Sequence, residues 1–261
     1  MATNFKSTRL KILSNTNIAT LNVQGKLADP FQREVLLQDC RRYKVDIGCF
    51  QEVRCEESLL QTQHGKLITM PYDEGTEAQF KYGLGFYVAP KLEPYFYGIN
   101  HVSNRIALIH FRFFTSKGRR LQLTIINVYA PTSQRVTNNP QEAEDFYNNL
   151  QDIYNKYSAK SHYVIIAGDL NSKLGTKLDA EEDFMGSHGK GTRNRNGHLL
   201  AEFLQNNRLY ATNTTFDGPL RHRTTWSMYI NGKMRYNQID YIIIQLDRLR
   251  NGHQGLLKKS R

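Results

Sequence analysis

Tyr163-Val164-Ile165-Ile166-Ala167-Gly168-Asp169-Leu170-Asn171 is the most informative run in this chain. Residues 163–167 form a short apolar run that reads as a strand, ending in a polar Gly-Asp-x-Asn. Upstream lies the clearest helix. Asn139-Pro140 opens it with a cap and a proline, and Ala143, Phe146, Tyr147, Leu150, Ile153, Tyr154 and Tyr157 recur at helical spacing, as a core-facing stripe. Further upstream, Leu121 to Val128 reads as a strand. Arg105 to Phe113 alternates, with Ile106, Leu108 and His110 on one face and Ala107, Ile109, Phe111 and Phe113 on the other. Lys117-Gly118 is a plausible turn between them.

Working outward again, Leu10–Ser14, Ile18–Val23, Val45–Phe50 and Gly83–Val88 read as strands. Asp29-Pro30 is an N-cap followed by a proline, and Phe31, Val35, Leu36 and Cys40 mark the expected inward face of its helix. Downstream, a polar, Gly-rich stretch from Gly168 to Gly197 leads to a short helix with Leu199, Leu200, Phe203 and Leu204. Thr224–Tyr229 and Lys233–Ile244 flank Asn231-Gly232, a strong hairpin signal. Strands interleaved with covering helices, without repeats or linkers, point to one α/β domain with two packed sheets. Residues 1–15 read as an N-terminal extension, 16–244 as the domain, and 245–261 as a divergent tail.

The chain has 261 residues, 39% apolar and 23% charged, which excludes a disordered or collagen-like class. No apolar run approaches the ~18 residues of a membrane span, and the polar start (Met1 to Lys11) has no signal-type apolar region. Three cysteines, Cys40, Cys49 and Cys55, read as free thiols in a reducing compartment. These features point to an intracellular protein, nuclear or cytoplasmic. Lys plus Arg is 35 against 24 Asp plus Glu, a net charge of +11 that favours a polyanionic partner.

Polar residues stand at the ends of five apolar strands: Asn22, Glu52, Asn127 with Tyr129, Asp169 with Asn171, and Asp240. Strand ends are where ligands bind in layered α/β folds. The set matches the demands of phosphodiester hydrolysis. A hard cation such as Mg2+ needs one or two carboxylates and keeps several waters, so Glu52 suffices as its anchor. Asp169 would orient or deprotonate the attacking water. Neutral donors on Asn22, Asn171 and Tyr129 hold phosphate oxygens without adding negative charge. Asp240 would orient a histidine.

The order of these blocks carries a resemblance. Leu21-Asn22-Val23-Gln24-Gly25, Gln51-Glu52-Val53-Arg54, Asn127-Val128-Tyr129-Ala130-Pro131, Gly168-Asp169-Leu170-Asn171, Thr225-Trp226 and Ile239-Asp240-Tyr241 occur in sequence. They resemble the blocks of the endonuclease/exonuclease/phosphatase superfamily, which includes apurinic endonucleases, the DNase I family and inositol polyphosphate phosphatases. Within it, residues 16–244 most resemble the endonuclease domain of RTE/BovB-type non-LTR retrotransposons and host proteins derived from it. Gly189–Leu200, Thr212-Asn213-Thr214 and Arg221–Trp226 support that subgroup. The resemblance implies a four-layer α/β sandwich, two mixed sheets flanked by helices, and DNA cleavage with Mg2+, or Mn2+ in its place. By position, it implies that Glu52 binds metal with Asn22 in support, and that Tyr129 contacts the scissile phosphate. Asp169 and Asn171 then serve water and phosphate, and Asp240 orients the catalytic histidine. Thr225 and the hairpin at Asn231-Gly232 resemble the family's DNA-contacting loop.

Two departures follow. Gln24 stands where some relatives carry an acid. More consequentially, the family closes with a Ser-Asp-His block after Ile-Asp-Tyr, and this sequence has no Asp-His pair. His253 lies 13 positions after Asp240, too close for the family spacing, and Asp247 is no better a substitute for the lost aspartate. The expectation is therefore a domain lacking its last strand, with an open sheet edge. His110 and His162 read as structural, whereas His188 and His222 fall in loops near the expected cleft. From Pro219 to Arg261, nine Lys/Arg stand against two Asp/Glu. Arg221, Arg223, Lys233 and Arg235 alternate with Trp226, Tyr229 and Tyr236, a pattern suited to phosphates and bases, and Arg105 is a further candidate phosphate contact. Three functions remain open: a DNA-nicking endonuclease impaired by the missing pair, an inactive nucleic-acid-binding remnant, and a phosphoinositide phosphatase.

Overall fold

The computed structural model describes residues 16–56, 58–70, 83–114 and 118–247. β1 (Ile18–Asn22) runs parallel to β2 (Ile47–Gln51), with helix α1 (Pro30–Arg42) between them. Asp29 caps α1, its carboxylate accepting from the backbone N–H groups of Phe31 and Gln32, with Pro30 at the first turn. With β3 (Ser58–Thr62), β4 (Gly65–Met70) and β5 (Leu84–Val88) they form, among the described residues, a five-stranded sheet in the order β1-β2-β5-β4-β3.

Among the described residues, the second sheet has six strands. β6 (Phe96–Ser103), β7 (Ile106–Phe114) and β8 (Arg120–Tyr129) form an antiparallel meander. Short α2 (Ser133–Asn138) and long α3 (Pro140–Ser158) then cross over to β9 (Tyr163–Asp169), parallel to β8. After α4 (Arg195–Asn206), β10 (Leu209–Ala211) and β13 (Asp240–Gln245) close the order β10-β13-β9-β8-β7-β6. Between them, α5 (Leu220–Arg223) leads into a separate two-stranded ribbon, β11 (Trp226–Ile230) and β12 (Lys233–Asn237). Asn231 and Gly232 both have positive φ (49° and 75°), the mirror-image turn that suits a two-residue hairpin.

Three apolar clusters hold four layers together. Leu37 and Cys40 of α1 pack with Phe50, Leu67 and Tyr87 beneath the first sheet. Cys49, Ile68, Phe86 and Val88 meet Ala107, Ile109, Phe111, Ile125 and Ala167 between the sheets. Ile106, Leu108, Ile126 and Ile166 pack under Phe146, Leu150 and Tyr154 of α3 and Leu200, Phe203 and Leu204 of α4. The two faces read for β7 thus belong to different layers. The architecture is the expected α/β sandwich of two mixed sheets flanked by helices. No helix among the described residues is long and apolar enough to cross a membrane.

Other expectations need correction. Phe31 and Val35 point outward, 72% and 39% exposed, and Leu37 and Cys40 carry the buried face of α1. The capped proline fixes where the helix starts, but its rotation follows the sheet it covers. The run Lys233–Ile244 is two strands, split at Gln238-Ile239, because β13 turns away to join β9. β3, β4, β6 and β10 lack a clean alternation in sequence; β6 carries register shifts at Phe96/Gly98 and His101/Ser103. Among the described residues β1 is an edge strand of its sheet. The expected strand Leu10–Ser14 lies outside the described residues, as do Lys117 and His253.

Candidate active site

The register brings the polar strand ends to one rim. Tyr129 lies opposite Asp169 in the parallel pair, and Asp240 lies opposite Asp169 in the antiparallel pair. Asp169 is the last residue of β9 and Asp240 the first of β13, so both belong to the sheet itself. Gly168 shows why the chain can bend in so closely: a Cβ there would stand 2.0 Å from the Val128 carbonyl oxygen, so only glycine fits. On the other sheet, β1 ends at Asn22 and Glu52 follows β2.

These side chains form one hydrogen-bonded cluster. Glu52 Oε1 accepts from Asn22 Nδ2 and from the Tyr129 hydroxyl, each at 2.8 Å. Asn22 Nδ2 also donates to Asp169 Oδ2 at 3.2 Å, linking the two sheets. Asp169 Oδ1 accepts from the Asn171 backbone N–H at 2.9 Å, and Asn171 Nδ2 donates to the Ala130 carbonyl. The other oxygen of Glu52 is paired with Arg54. Among the described residues, four of the seven non-glycine residues with positive φ are here: Gln24, Glu52, Arg54 and Asn171. Such strain gathers where structure holds functional groups in place.

Burial sets the electrostatics. It pushes the Asp169 carboxyl up to about 6, with the Glu52 charge adding and the hydrogen bonds from Asn171 and Asn22 opposing. Asp240 is held well above the ordinary aspartate range by burial and by the Asp169 charge, against a hydrogen bond from Thr225. Burial, then the bond to Glu52, raises the Tyr129 phenol, which stays protonated and donates. The rim thus holds one carboxylate tied down by donors and two buried carboxyls that resist ionisation.

The donor set suits a hard divalent cation. Glu52 offers a carboxylate that remains 13% accessible, Asp169 a second one, and Asn22 an amide oxygen. Among the described residues, no three His, Cys, Asp or Glu side chains gather as a closed metal cage. A Mg2+-type site needs only one or two carboxylates and retains water.

Residues 19–248 match the endonuclease/exonuclease/phosphatase family. The chain belongs to that family. Enzymes of the endonuclease/exonuclease/phosphatase family typically use divalent metals. Craniofacial development protein 2 of Bos taurus is 31% identical over 229 residues, 87% of this chain but only 35% of that protein. The chain thus spans about a third of that curated relative. The endonuclease domain of TRAS1, a telomere-specific non-LTR retrotransposon, shares the fold with a TM-score of 0.56 at 15% identity, covering 90% of this chain and 87% of that one. A 3′ phosphatase from Neisseria, solved bound to product DNA hairpin, matches with a TM-score of 0.58 at 13% identity, covering 89% and 88%. At these identities the two structures establish the fold alone.

The remaining candidates are dispersed. Arg105 does not reach the cluster as a free cation: its guanidinium donates to Glu142 at 2.7 Å and to the Tyr129 carbonyl at 3.1 Å. Thr225 is not at the ribbon's tip; its hydroxyl accepts from the backbone N–H groups of Ile239 and Asp240, tying the ribbon's base to β13. Trp226 is half-buried, and Arg221, Lys233 and Arg235 are exposed, as is Tyr229 at 68%. Among the described residues no histidine bonds to Asp240; His188 lies by Asp217, His222 accepts from Arg221, and Asp247 pairs with Arg208. His110 bonds to Thr124 and Asn100 and stacks on Tyr157, while His162 accepts from the Gln122 N–H.

Gln51 and Arg54 have no role in the sequence reading, and Asn127 stands there only as a polar strand end. Asn127, fully buried, donates to the Phe50 and Gly85 carbonyls of the opposite sheet and accepts from Gln51 at 2.7 Å. Asn127 and Gln51 therefore lock the sheets together one or two residues from Tyr129 and Glu52. Arg54, in the block Gln51-Glu52-Val53-Arg54, is the counterion of Glu52. Their signal was membership of the same blocks.

Proposed function

We propose that this chain hydrolyses phosphodiester bonds in DNA with a divalent metal, Mg2+ or Mn2+, as a nicking endonuclease of retroelement type. The observation that carries the proposal is the single hydrogen-bonded cluster of Tyr129, Glu52, Asn22, Asp169 and Asn171 across the ends of both sheets. Glu52, with Asn22 beside it and Asp169 across the cleft, would hold the metal. When bound, the metal polarises the phosphate and stabilises the leaving oxygen. Asp169, lifted toward neutrality by burial, is suited to orient and deprotonate an attacking water. The amides of Asn22 and Asn171 and the Tyr129 hydroxyl supply neutral donors to phosphate oxygens. The exposed basic and aromatic ribbon offers a surface for the duplex. The TRAS1 endonuclease domain and the DNA-bound Neisseria phosphatase support this reading by fold, and the blocks quoted above support the retroelement type.

A second reading has its own observation: Asp240 bonds to no histidine among the described residues, which favours a nucleic-acid-binding remnant without turnover. Nicking of supercoiled plasmid decides between them. The endonuclease requires open circles that depend on Mg2+ or Mn2+ and vanish in Glu52→Ala. Salt-sensitive DNA binding with no nicking leaves the remnant. Turnover of inositol phosphates without either refutes both.

A further inference from the structure

Outside the carboxylate cluster, two cations, Lys190 and Arg223, lie within electrostatic reach of each other. Lys190 stands in Gly189-Lys190-Gly191, and the glycines fix its position. A Cβ on Gly189 would lie 2.0 Å from the Gly175 carbonyl oxygen, so this turn is packed against backbone. Gly191 has φ of 79° and its carbonyl accepts from the Thr176 N–H. From that turn, the Lys190 ammonium reaches the Thr224 hydroxyl at 3.3 Å and lies 5.0 Å from the Tyr236 ring centre. Arg223 immediately precedes Thr224, at the end of α5, with its Nε buried and without a partner. Among the described residues neither cation enters an ion pair. Burial and the Arg223 charge both lower the Lys190 ammonium from its ordinary value.

Two like charges held together around a buried, unused donor lack an anion. A phosphate fits: its oxygens accept from ammonium and guanidinium at once, and its charge cancels their repulsion. Location identifies the source. Thr225, next in the chain after Thr224, binds the Asp240 backbone, so the pair adjoins the candidate active site at the root of the basic ribbon. We propose that Lys190 and Arg223 form a clamp for one backbone phosphate of nucleic acid, placed beside the Asp240 end of that site. The partner rests on the nuclease reading, whereas the anion rests on the two neighbouring cations and the unused Arg223 donor.

The test is DNA binding without turnover: fluorescence anisotropy of a labelled duplex in EDTA, with the salt concentration varied. One phosphate contributes about 0.9 to the slope of log affinity against log salt. The double variant Lys190→Gln/Arg223→Gln should lose about that much, each single variant no more than that, and Lys190→Arg very little. Arg41→Gln/Arg42→Gln on α1 removes the same charge elsewhere and serves as the control. A double variant matching that control overturns the clamp, as does a loss of about twice 0.9, which means two separate phosphates. Retained thermal unfolding temperatures establish that the variants fold. With no duplex binding by the unaltered chain, the nuclease reading fails. The anion site is then decided by inorganic phosphate: stabilisation against heat that the double variant loses supports it, and no stabilisation removes it.

Discussion

Asp169→Asn should make the metal-free protein more stable while removing its proposed water-activating group. Raising the Asp169 carboxyl from its ordinary 3.8 to about 6 costs the ionised folded state about 3 kcal/mol, at about 1.4 kcal/mol per tenfold change in proton affinity. An asparagine carries no charge to bury. It also has one acceptor oxygen for two donors, the Asn171 N–H and Asn22 Nδ2, so one hydrogen bond worth about 1 kcal/mol is lost. The net gain is about 2 kcal/mol above pH 6.

The sign follows from linkage. The folded state keeps the Asp169 proton to a higher pH than the unfolded chain does. The wild type is therefore free of the penalty below about pH 3.8, and accumulates it as the pH rises to about 6. Urea unfolding in EDTA at several pH values measures this. The variant should lead at pH 8, and its lead should disappear by pH 4. Adding Mg2+ should narrow the gap at pH 8, because a ligand that binds the ionised folded site stabilises the wild type. A variant less stable than wild type at pH 8 in EDTA, or a lead independent of pH, refutes the reasoning.

Three further outcomes are open to measurement. His110 has the opposite sign: burial pushes its imidazole down to about 4 from 6.5, so protonation of the unfolded chain removes up to about 3 kcal/mol as the pH falls from 6.5 to 4. His110→Gln, which has no such proton, should show a smaller fall over that range in urea midpoints. Arg193→Met leaves the Glu182 carboxylate, paired with it at 2.6 Å and 2.8 Å, without its partner, and should cost about 3–5 kcal/mol in urea unfolding. Gly168→Ala drives a Cβ to 2.0 Å from the Val128 carbonyl oxygen. It should lower stability by about 3 kcal/mol or more, read as a fall in the thermal midpoint.

The fold was legible wherever local chemistry and tertiary demand coincide. Asp29-Pro30, the α3 stripe and Asn231-Gly232 each announce an element through groups a few residues apart. The rotation of α1 was not legible, because Phe31 is as apolar as Leu37 and only the sheet beneath decides which is covered. Nor was β6, where bulges break the alternation. For the candidate site, the ordered blocks marked the residues that meet, but not their connections. Arg105 reads as a loose cation beside a strand, and its Glu142 partner lies 37 residues away on α3. The contact of Lys190 with Thr224, beside Arg223, depends in the same way on a turn and the end of a short helix 34 residues apart in sequence.

Polar groups at the centre of the sandwich explain how such distant blocks come into register. Apolar contacts between two sheets are non-directional and would tolerate sliding by an ångström or so. Asn127 removes that freedom, since its amide spans the inter-sheet space to two carbonyls and to Gln51, all fully buried. Displacing one sheet would leave several buried donors and acceptors unpaired at about 1–3 kcal/mol each. Thr20 extends the lock to β1 through its own bond to Gln51. Asn127 lies two residues before Tyr129, Gln51 one before Glu52, and Thr20 two before Asn22. The three locking residues thus fix from beneath the three side chains that share Glu52 Oε1. A hydrogen bond of 2.8 Å between sheets needs alignment finer than packing provides. The blocks Gln51–Arg54 and Asn127–Pro131 each pair a locking residue with a site residue, and Thr20 does the same just ahead of Leu21-Asn22, because the site residue is placed through its lock.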